Sequence, residues 1–234
     1  MNKAKYESLR PLIVLLGLTE LAWLSYWLLR HQPVTNFVVV VVGWVSVMLI
    51  WMAWVIRAGK NGFYLKHTRW LSNFIGVNIV FVFGVVWFKY VPSAWQGMTH
   101  AAELTTLQEL ASIHILRILA VGTIIKYMQK QLPLHFLLLG SMPDLLFAIS
   151  AVVITVLLGE HTLSREFLIA WHTTGMIVFL GALSMFFSVP SPFYLWRTVP
   201  DASIAFKFPM LLAPNFTVPL FMLAHAFALV KLMA

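Results

Sequence analysis

The chain has 234 residues, of which 16 are Lys or Arg and 8 are Asp or Glu. This charged share of 10% compares with roughly 25% in a soluble domain, while the hydrophobic share is 61%. A soluble protein of this size could not bury so much apolar surface, which excludes a soluble enzyme, a disordered chain and a free nucleic-acid-binding protein. The composition predicts an all-α polytopic membrane protein. The absence of cysteine excludes disulfides and thiolate metal sites.

The hydropathy pattern predicts a single transmembrane domain over residues 1–234, folded as a bundle of seven helices. Each apolar segment is close to the roughly 20 residues that a bilayer requires. The predicted spans are 11–30, 35–57, 70–91, 108–128, 134–158, 167–189 and 210–231. The longest connections, 92–107 and 190–208, are predicted to be loops, and Tyr194 and Trp196 in the second are predicted to lie in an interfacial aromatic belt.

The basic residues predict the orientation of the bundle, because cytoplasmic loops carry an excess of Lys and Arg. With the N-terminus in the cytoplasm and the C-terminus outside, most basic residues fall on the cytoplasmic side. These are Lys3, Lys5, Arg10, Arg57, Lys60, Lys66, Arg69, Lys126, Lys130, Arg197 and Lys207, against Arg30, Lys89, Arg165 and Lys231 outside. We therefore expect a protein of the bacterial inner membrane whose basic cytoplasmic side contacts anionic lipids. No nucleic-acid partner is expected, and a homo- or hetero-oligomer is left open.

Three charged residues lie midway along predicted spans. Glu20 is in the first span, Arg117 in the fourth and Asp144 in the fifth. A charge at the centre of a bilayer costs about 2.5–3.5 kcal/mol on insertion scales, so such residues face protein or water. We predict that Arg117 pairs with Asp144, with Glu20 or with both. The cluster is then either a structural ion pair or the floor of a polar cavity.

Three histidines form a second predicted layer. His114, His172 and His225 each lie roughly 9 Å below the outer boundary at 1.5 Å per helical residue. Imidazoles at one depth could hold a transition metal, and two of them could ligate a haem. The alternative is that each histidine hydrogen-bonds a neighbouring helix. No cofactor is predicted, and the metal or haem site is kept as the less favoured alternative.

Proline and small residues interrupt two of the predicted helices. Pro143 lies inside the fifth span, and prolines recur every five residues from Pro209 to Pro219 at the start of the seventh. Each proline removes a backbone donor and frees a carbonyl one turn earlier, which predicts a kink or a broken helix at a binding site. Stripes of small residues that begin at Gly140 and Gly181 predict close helix packing.

The C-terminal half resembles a known family over about residues 112–231. The resemblance rests on His114-Ile-Leu-Arg117, Leu132-Pro133, Asp144, Trp171, Ser188-Val-Pro-Ser-Pro-Phe193, Leu212-Ala-Pro-Asn-Phe-Thr-Val-Pro-Leu220 and His225. These motifs are similar to those of an uncharacterised family of polytopic integral membrane proteins from Bacteroidetes-type bacteria. In that family Gln stands at position 114 and Asn at position 172. The resemblance therefore implies a hydrogen-bonding site built on Arg117, Asp144 and His225 and implies no activity.

The favoured function is small-molecule binding or transport, with ion or proton coupling, at an intramembrane polar site. The candidate ligand-binding residues are Arg117, Asp144, Glu20, His225, His114 and Asn78. Arg117 would hold an anionic group of the ligand or neutralise Asp144. One alternative is a non-catalytic subunit of a membrane complex, which predicts a packed core without a cavity. Another is a membrane enzyme with a metal or haem at the three histidines. No catalytic residue is assigned.

Overall fold

The computed structural model describes residues 10–30, 35–65, 70–188 and 195–233, and within these ranges it contains helices and no strand. The main helices are α1 Arg10–Leu29, α2 Thr35–Lys60, α3 Trp70–Tyr90, α4 Pro92–Leu104, α5 Leu107–Met128, α6 Leu134–Glu160, α7 Arg165–Met185 and α8 Ala213–Met233. Short 3₁₀ turns occupy Phe63–Leu65 and Ser203–Phe206. The predicted positions of Tyr194, Lys3, Lys5, Lys66 and Arg69 fall outside the described residues.

Within the described ranges, six helices are long and apolar enough to cross a membrane. They correspond to the first, second, fourth, fifth, sixth and seventh predicted spans. The third predicted span coincides with α3. The segment Asn78–Tyr90 of α3 passes the same criterion only together with α4, to which it is joined by a 98° bend. The all-helical fold is confirmed. A membrane crossing by α3, which would be the seventh in number, stays a prediction, and so does the orientation of the termini.

The prediction of a loop at 92–107 is wrong, because residues 92–104 form the helix α4. Pro92 occupies the first turn, where its missing N–H costs nothing. Ala94, Met98 and Ala101 are buried against α1, α2, α3 and α8. The Lys231 ammonium of α8 donates to the last carbonyls of α4, at 2.9 Å from Ala102 O and 2.7 Å from Glu103 O.

A capping box fixes the start of α5 directly after this helix. The Thr106 hydroxyl accepts from Glu109 N at 3.1 Å, and Glu109 Oε2 accepts from Thr106 N at 2.9 Å. Glu109 also forms an ion pair with Arg30, which follows the last residue of α1. This hydrogen bond to Glu109 raises the pKa of Arg30. One carboxylate thus holds the end of α1 against the start of α5.

Four of the described helices contain a segment that leaves α geometry. Residues Ile113–Ala120 in the middle of α5 are 3₁₀, and Leu137–Ser141 near the start of α6 and Ala213–Thr217 at the start of α8 are π-helical. At the end of α7 a 3₁₀ segment covers Leu183–Ser188. The π segments coincide with the predicted proline breaks. Pro219 cannot donate to the Asn215 carbonyl one turn earlier, and the Trp51 indole donates to that carbonyl instead, at 2.9 Å. The freed group is thereby satisfied by another helix, as the membrane interior requires.

Small residues allow α6 and α7 to pack closely at the other proline break. A Cβ added at Gly181 would collide with the Leu139 carbonyl, which is the carbonyl that Pro143 leaves without its helical partner. A Cβ added at Gly140 would lie 3.3 Å from Ala182 Cα. The predicted small-residue stripes therefore mark a real backbone-to-backbone contact.

We predict that Gly181→Ala destabilises the bundle by about 1–3 kcal/mol, the usual cost of overpacking. Gly122→Ala is the matched control, because nothing lies within 4 Å of a Cβ added there and alanine favours the helix. Thermal unfolding of both variants in detergent measures the difference. Equal midpoints for the two variants would contradict the close contact of α6 and α7.

Candidate intramembrane site

The Arg117 side chain is the buried centre of the site. It is carried by the 3₁₀ segment of α5, in which residues three apart are eclipsed, so His114 and Arg117 project from the same side. Arg117 Nε donates to Asp144 Oδ1 of α6 at 2.6 Å. The predicted pairing of Arg117 with Asp144 is confirmed. Arg117 Nη1 also donates to the Gly175 carbonyl of α7 at 3.3 Å.

Two phenyl rings enclose the guanidinium. Arg117 Cζ lies 4.3 Å from the ring centroid of Phe147 and 4.0 Å from that of Phe179. A guanidinium at this distance from an aromatic face gains cation–π attraction, which is larger where water is excluded. Nη2 has no hydrogen-bond partner among the described residues. The two phenyl rings and the Asp144 carboxylate therefore provide most of the stabilisation of the buried positive charge.

Hydrogen bonds link Arg117 to two of the predicted histidines. Arg117 Nη1 lies 3.2 Å from His225 Nε2, and His225 Nδ1 lies 3.0 Å from His172 Nδ1. A guanidinium only donates, so His225 Nε2 accepts and the ring hydrogen of His225 lies on Nδ1. His225 then donates to His172 Nδ1. The chain of contacts runs from Asp144 through Arg117 and His225 to His172.

The three histidines predicted at one depth do lie together. All are buried, and each offers a ring nitrogen within 4.8 Å of the others. The His114 ring stacks on the His225 ring, with centroids 3.7 Å apart and planes 12° apart. Neither nitrogen of His114 has a hydrogen-bond partner among the described residues. Gly175 makes the cluster sterically feasible, since a Cβ there would collide with the rings of His225 and Phe147.

This histidine cluster is a poor fit for a metal or a haem. A metal on His225 Nδ1 would move the ring hydrogen to Nε2, where it would face the Arg117 donors. A metal on Nε2 would have to displace the guanidinium itself. Two haem ligands stand on opposite faces of the macrocycle, and rings stacked at 3.7 Å, as His114 and His225 are, leave no space between them.

Glu20 is fully buried on α1, and neither of its carboxylate oxygens has a hydrogen-bond partner among the described residues. Glu20 lies within electrostatic range of both Arg117 and Asp144. The three charges predicted to share one depth therefore interact electrostatically. Among the described residues, Asp144 is the one that forms an ion pair with Arg117.

A cavity of about 140 Å³ lies beside the Arg117–Asp144 pair. Its walls come from α1, α5, α6, α7 and α8. Aliphatic and phenyl groups form most of them, including Leu116, Phe136, Phe179 and Phe221. Both π segments and part of the 3₁₀ segment contribute lining residues. The departures from α geometry are thus concentrated where the cavity forms.

Arg117 and Asp144 both line the cavity, and the carboxylate is the partly exposed member of the ion pair. The Asp144 side chain is 23% exposed, whereas that of Arg117 is 0% exposed. The ion pair agrees with the expectation that Arg117 neutralises Asp144, and the alternative, that Arg117 holds an anionic group of the ligand, stays a prediction. The guanidinium charge is directed at Asp144, Gly175 and two aromatic rings. The hydroxyl groups of Thr123 and Ser141, 2.6 Å apart, line the same cavity.

Sequence reasoning missed the residues that shape this site without carrying charge. Phe147, Phe179 and Gly175 read as ordinary apolar or small residues of a span. Their spacing gave no indication that they enclose an arginine. Asn78, the remaining predicted site residue, is half-buried on α3, and its role in the site stays a prediction.

Comparison with family models gives a match over more than half of the chain. Residues 73–233 match a family described as a domain of unknown function (DUF8737). The chain belongs to this family. The DUF8737 match contains the whole 112–231 region of the predicted resemblance and also covers most of α3 and all of α4. The resemblance to a family of Bacteroidetes-type bacteria stays a prediction. No curated protein and no solved structure matches the chain.

We predict strong energetic coupling between Arg117 and Asp144. Arg117→Gln or Asp144→Asn alone leaves a buried charge without its partner, which costs about 3–5 kcal/mol. The double variant should lose less than the sum of the two single losses. The free energy of unfolding in detergent, measured for all four proteins, gives the coupling.

The ion pair of Arg30 with Glu109 is the matched control, because its side chains are 25% and 34% exposed. Its coupling, measured with Arg30→Gln and Glu109→Gln, should be much smaller. Additive losses at Arg117 and Asp144 would contradict the central place of their contact.

Proposed function

We propose that the protein is a multi-pass protein of the bacterial inner membrane that binds and transports a small molecule in the cavity beside Arg117 and Asp144, coupled to protons. The observation that carries the proposal is the ion pair at the edge of that cavity, with Asp144 accessible and Arg117 buried. A structural ion pair needs no adjoining space. A binding site needs both a charge and a space for the ligand.

The cavity also argues against a purely structural subunit. That alternative predicts a packed core beside Arg117. Instead, irregular backbone at membrane depth adjoins a cavity, the arrangement by which transporter helices present polar groups to a ligand. The non-catalytic subunit is therefore the less favoured candidate.

The lining residues support seven crossings. The cavity is lined by Leu12 near the start of α1, Thr123 near the end of α5, Phe136 near the start of α6, Met185 at the end of α7 and Ala213 at the start of α8. Because the start of α1 and the end of α5 line one cavity, they lie on the same side of the membrane. The chain between them must then cross the membrane an even number of times, which requires that α1, α2, α3 and α5 all cross. With the N-terminus inside, as the basic residues predict, this side is cytoplasmic.

A metal enzyme is the second candidate, and the closeness of the three imidazoles favours it. The hydrogen-bonding pattern favours a different role for the histidines. Arg117 occupies His225 Nε2, and His172 occupies His225 Nδ1. We propose that the histidines hold the guanidinium in position and that the protein has no resident metal or haem.

The chain contains no cysteine, so single cysteines can report access to the cavity. We predict that Thr123→Cys and Ala213→Cys, on two cavity walls, react with a membrane-impermeant maleimide added to the cytoplasmic side. Inverted membrane vesicles present that side to the reagent. Transport predicts that some cavity cysteines also react in right-side-out vesicles, because alternating access opens the site to both sides.

Ala148→Cys is the control, because Ala148 is fully buried on α6 and lies outside the cavity lining. It should stay unlabelled in both kinds of vesicle. If Thr123→Cys and Ala213→Cys are as inert as Ala148→Cys, the cavity is not a binding site reached from water, and the proposed function is wrong.

A further inference from the structure

We propose that the ligand is a monovalent organic cation with an apolar body and that it binds in exchange for one proton. This inference rests on the proposed function and names the ligand class of the same site. It follows from the sum of the buried charges and from the exposure of Asp144 as against Arg117.

The charge balance comes from Glu20, Arg117 and Asp144. When all three are ionised, two carboxylates face one guanidinium and the cluster carries one net negative charge. Burying an uncompensated charge is costly, so the cluster favours one additional positive charge. With the cavity empty, a proton on Glu20 supplies it, since that carboxyl group is fully buried and lacks hydrogen bonds from described residues.

The cavity itself favours a cation over an anion. Of the two charged residues that line it, Asp144 is partly exposed, and Arg117 is fully buried between Phe147 and Phe179. Phenyl rings of Phe136, Phe179 and Phe221 line the same space. Aromatic faces and one carboxylate in an apolar cavity are the groups that recognise organic ammonium ions.

The histidines around the cluster do not alter this balance. His225 accepts from Arg117, and His172 accepts from His225, so each holds one ring hydrogen and is neutral. His114 stacks on His225 and lies beside the same guanidinium charge. A second positive charge on any of the three would be repelled by Arg117. When the organic cation binds at Asp144, the proton leaves Glu20 and the cluster stays neutral.

Three probes of the same shape class test the charge preference. They are phenyltrimethylammonium, its uncharged carbon analogue tert-butylbenzene, and benzenesulfonate. We expect calorimetry on the full chain in detergent to show binding of the ammonium about tenfold or more tighter than of the other two. A pH indicator in weakly buffered solution should show release of about one proton for each ammonium bound.

Variants of Glu20 and of Asp144 separate the parts of the mechanism. Glu20→Gln keeps the shape of the side chain but holds no exchangeable proton, so proton release should disappear and ammonium binding should weaken about tenfold or more. Asp144→Asn should abolish binding, and Asp144→Glu should restore part of it. Glu109→Gln, at the Arg30 ion pair outside the cavity, should bind as the natural chain does.

The outcomes distinguish this inference from the proposed function. Equal or tighter binding of benzenesulfonate or tert-butylbenzene, ammonium binding without proton release, or unchanged binding by Asp144→Asn would each overturn the cation-exchange inference. If one of those two probes also protected Thr123→Cys from the maleimide, the cavity would still be a binding site. If the cavity cysteines Thr123→Cys and Ala213→Cys do not react with the maleimide, the proposed function is wrong. If they react but none of the three probes binds, only the inference of a cationic ligand is overturned.

Discussion

A guanidinium in the interior of a membrane bundle has to be compensated by other groups, and the architecture around Arg117 follows from that requirement. Asp144 supplies the opposite charge, and Phe147 and Phe179 supply aromatic faces. His225 and the Gly175 carbonyl accept from Nη1 of the guanidinium. These partners come from three different helices. Arg117 therefore fixes the packing of α5 against α6, α7 and α8, whatever else the site does.

Irregular backbone is what allows this packing. A continuous α-helix would place His114 and Arg117 about 60° apart around its axis, whereas the 3₁₀ segment of α5 brings them into line. The π segments of α6 and α8 accommodate the prolines and open space between helices. A packed bundle and a cavity can then coexist at one depth. The ligand site is a consequence of the same backbone distortions that seat the arginine.

The sequence predicts much of this arrangement, because lipid makes its polar residues informative. The cost of intramembrane charge predicts that Arg117 pairs with Asp144, with Glu20 or with both, and helical rise predicts that the three histidines lie at one depth. The helix α4 was missed because its apolar face was too short for a hydropathy window, although Pro92, Ala94, Met98 and Ala101 carry an amphipathic signal. Which member of the ion pair faces the cavity depends on side-chain packing from distant segments, and no local pattern encodes that.

The protonation of Glu20 is the most direct test of the charge balance. Infrared difference spectroscopy resolves the carbonyl band of a protonated carboxyl group from the bands of carboxylates. We predict that the natural chain with an empty cavity shows such a band and that Glu20→Gln lacks it. In Asp144→Asn, Glu20 is left as the counter-charge of Arg117 and ionises, so the band should be lost there too. An ionised Glu20 in the natural chain, or a band that persists in Glu20→Gln, would contradict this account of the buried cluster.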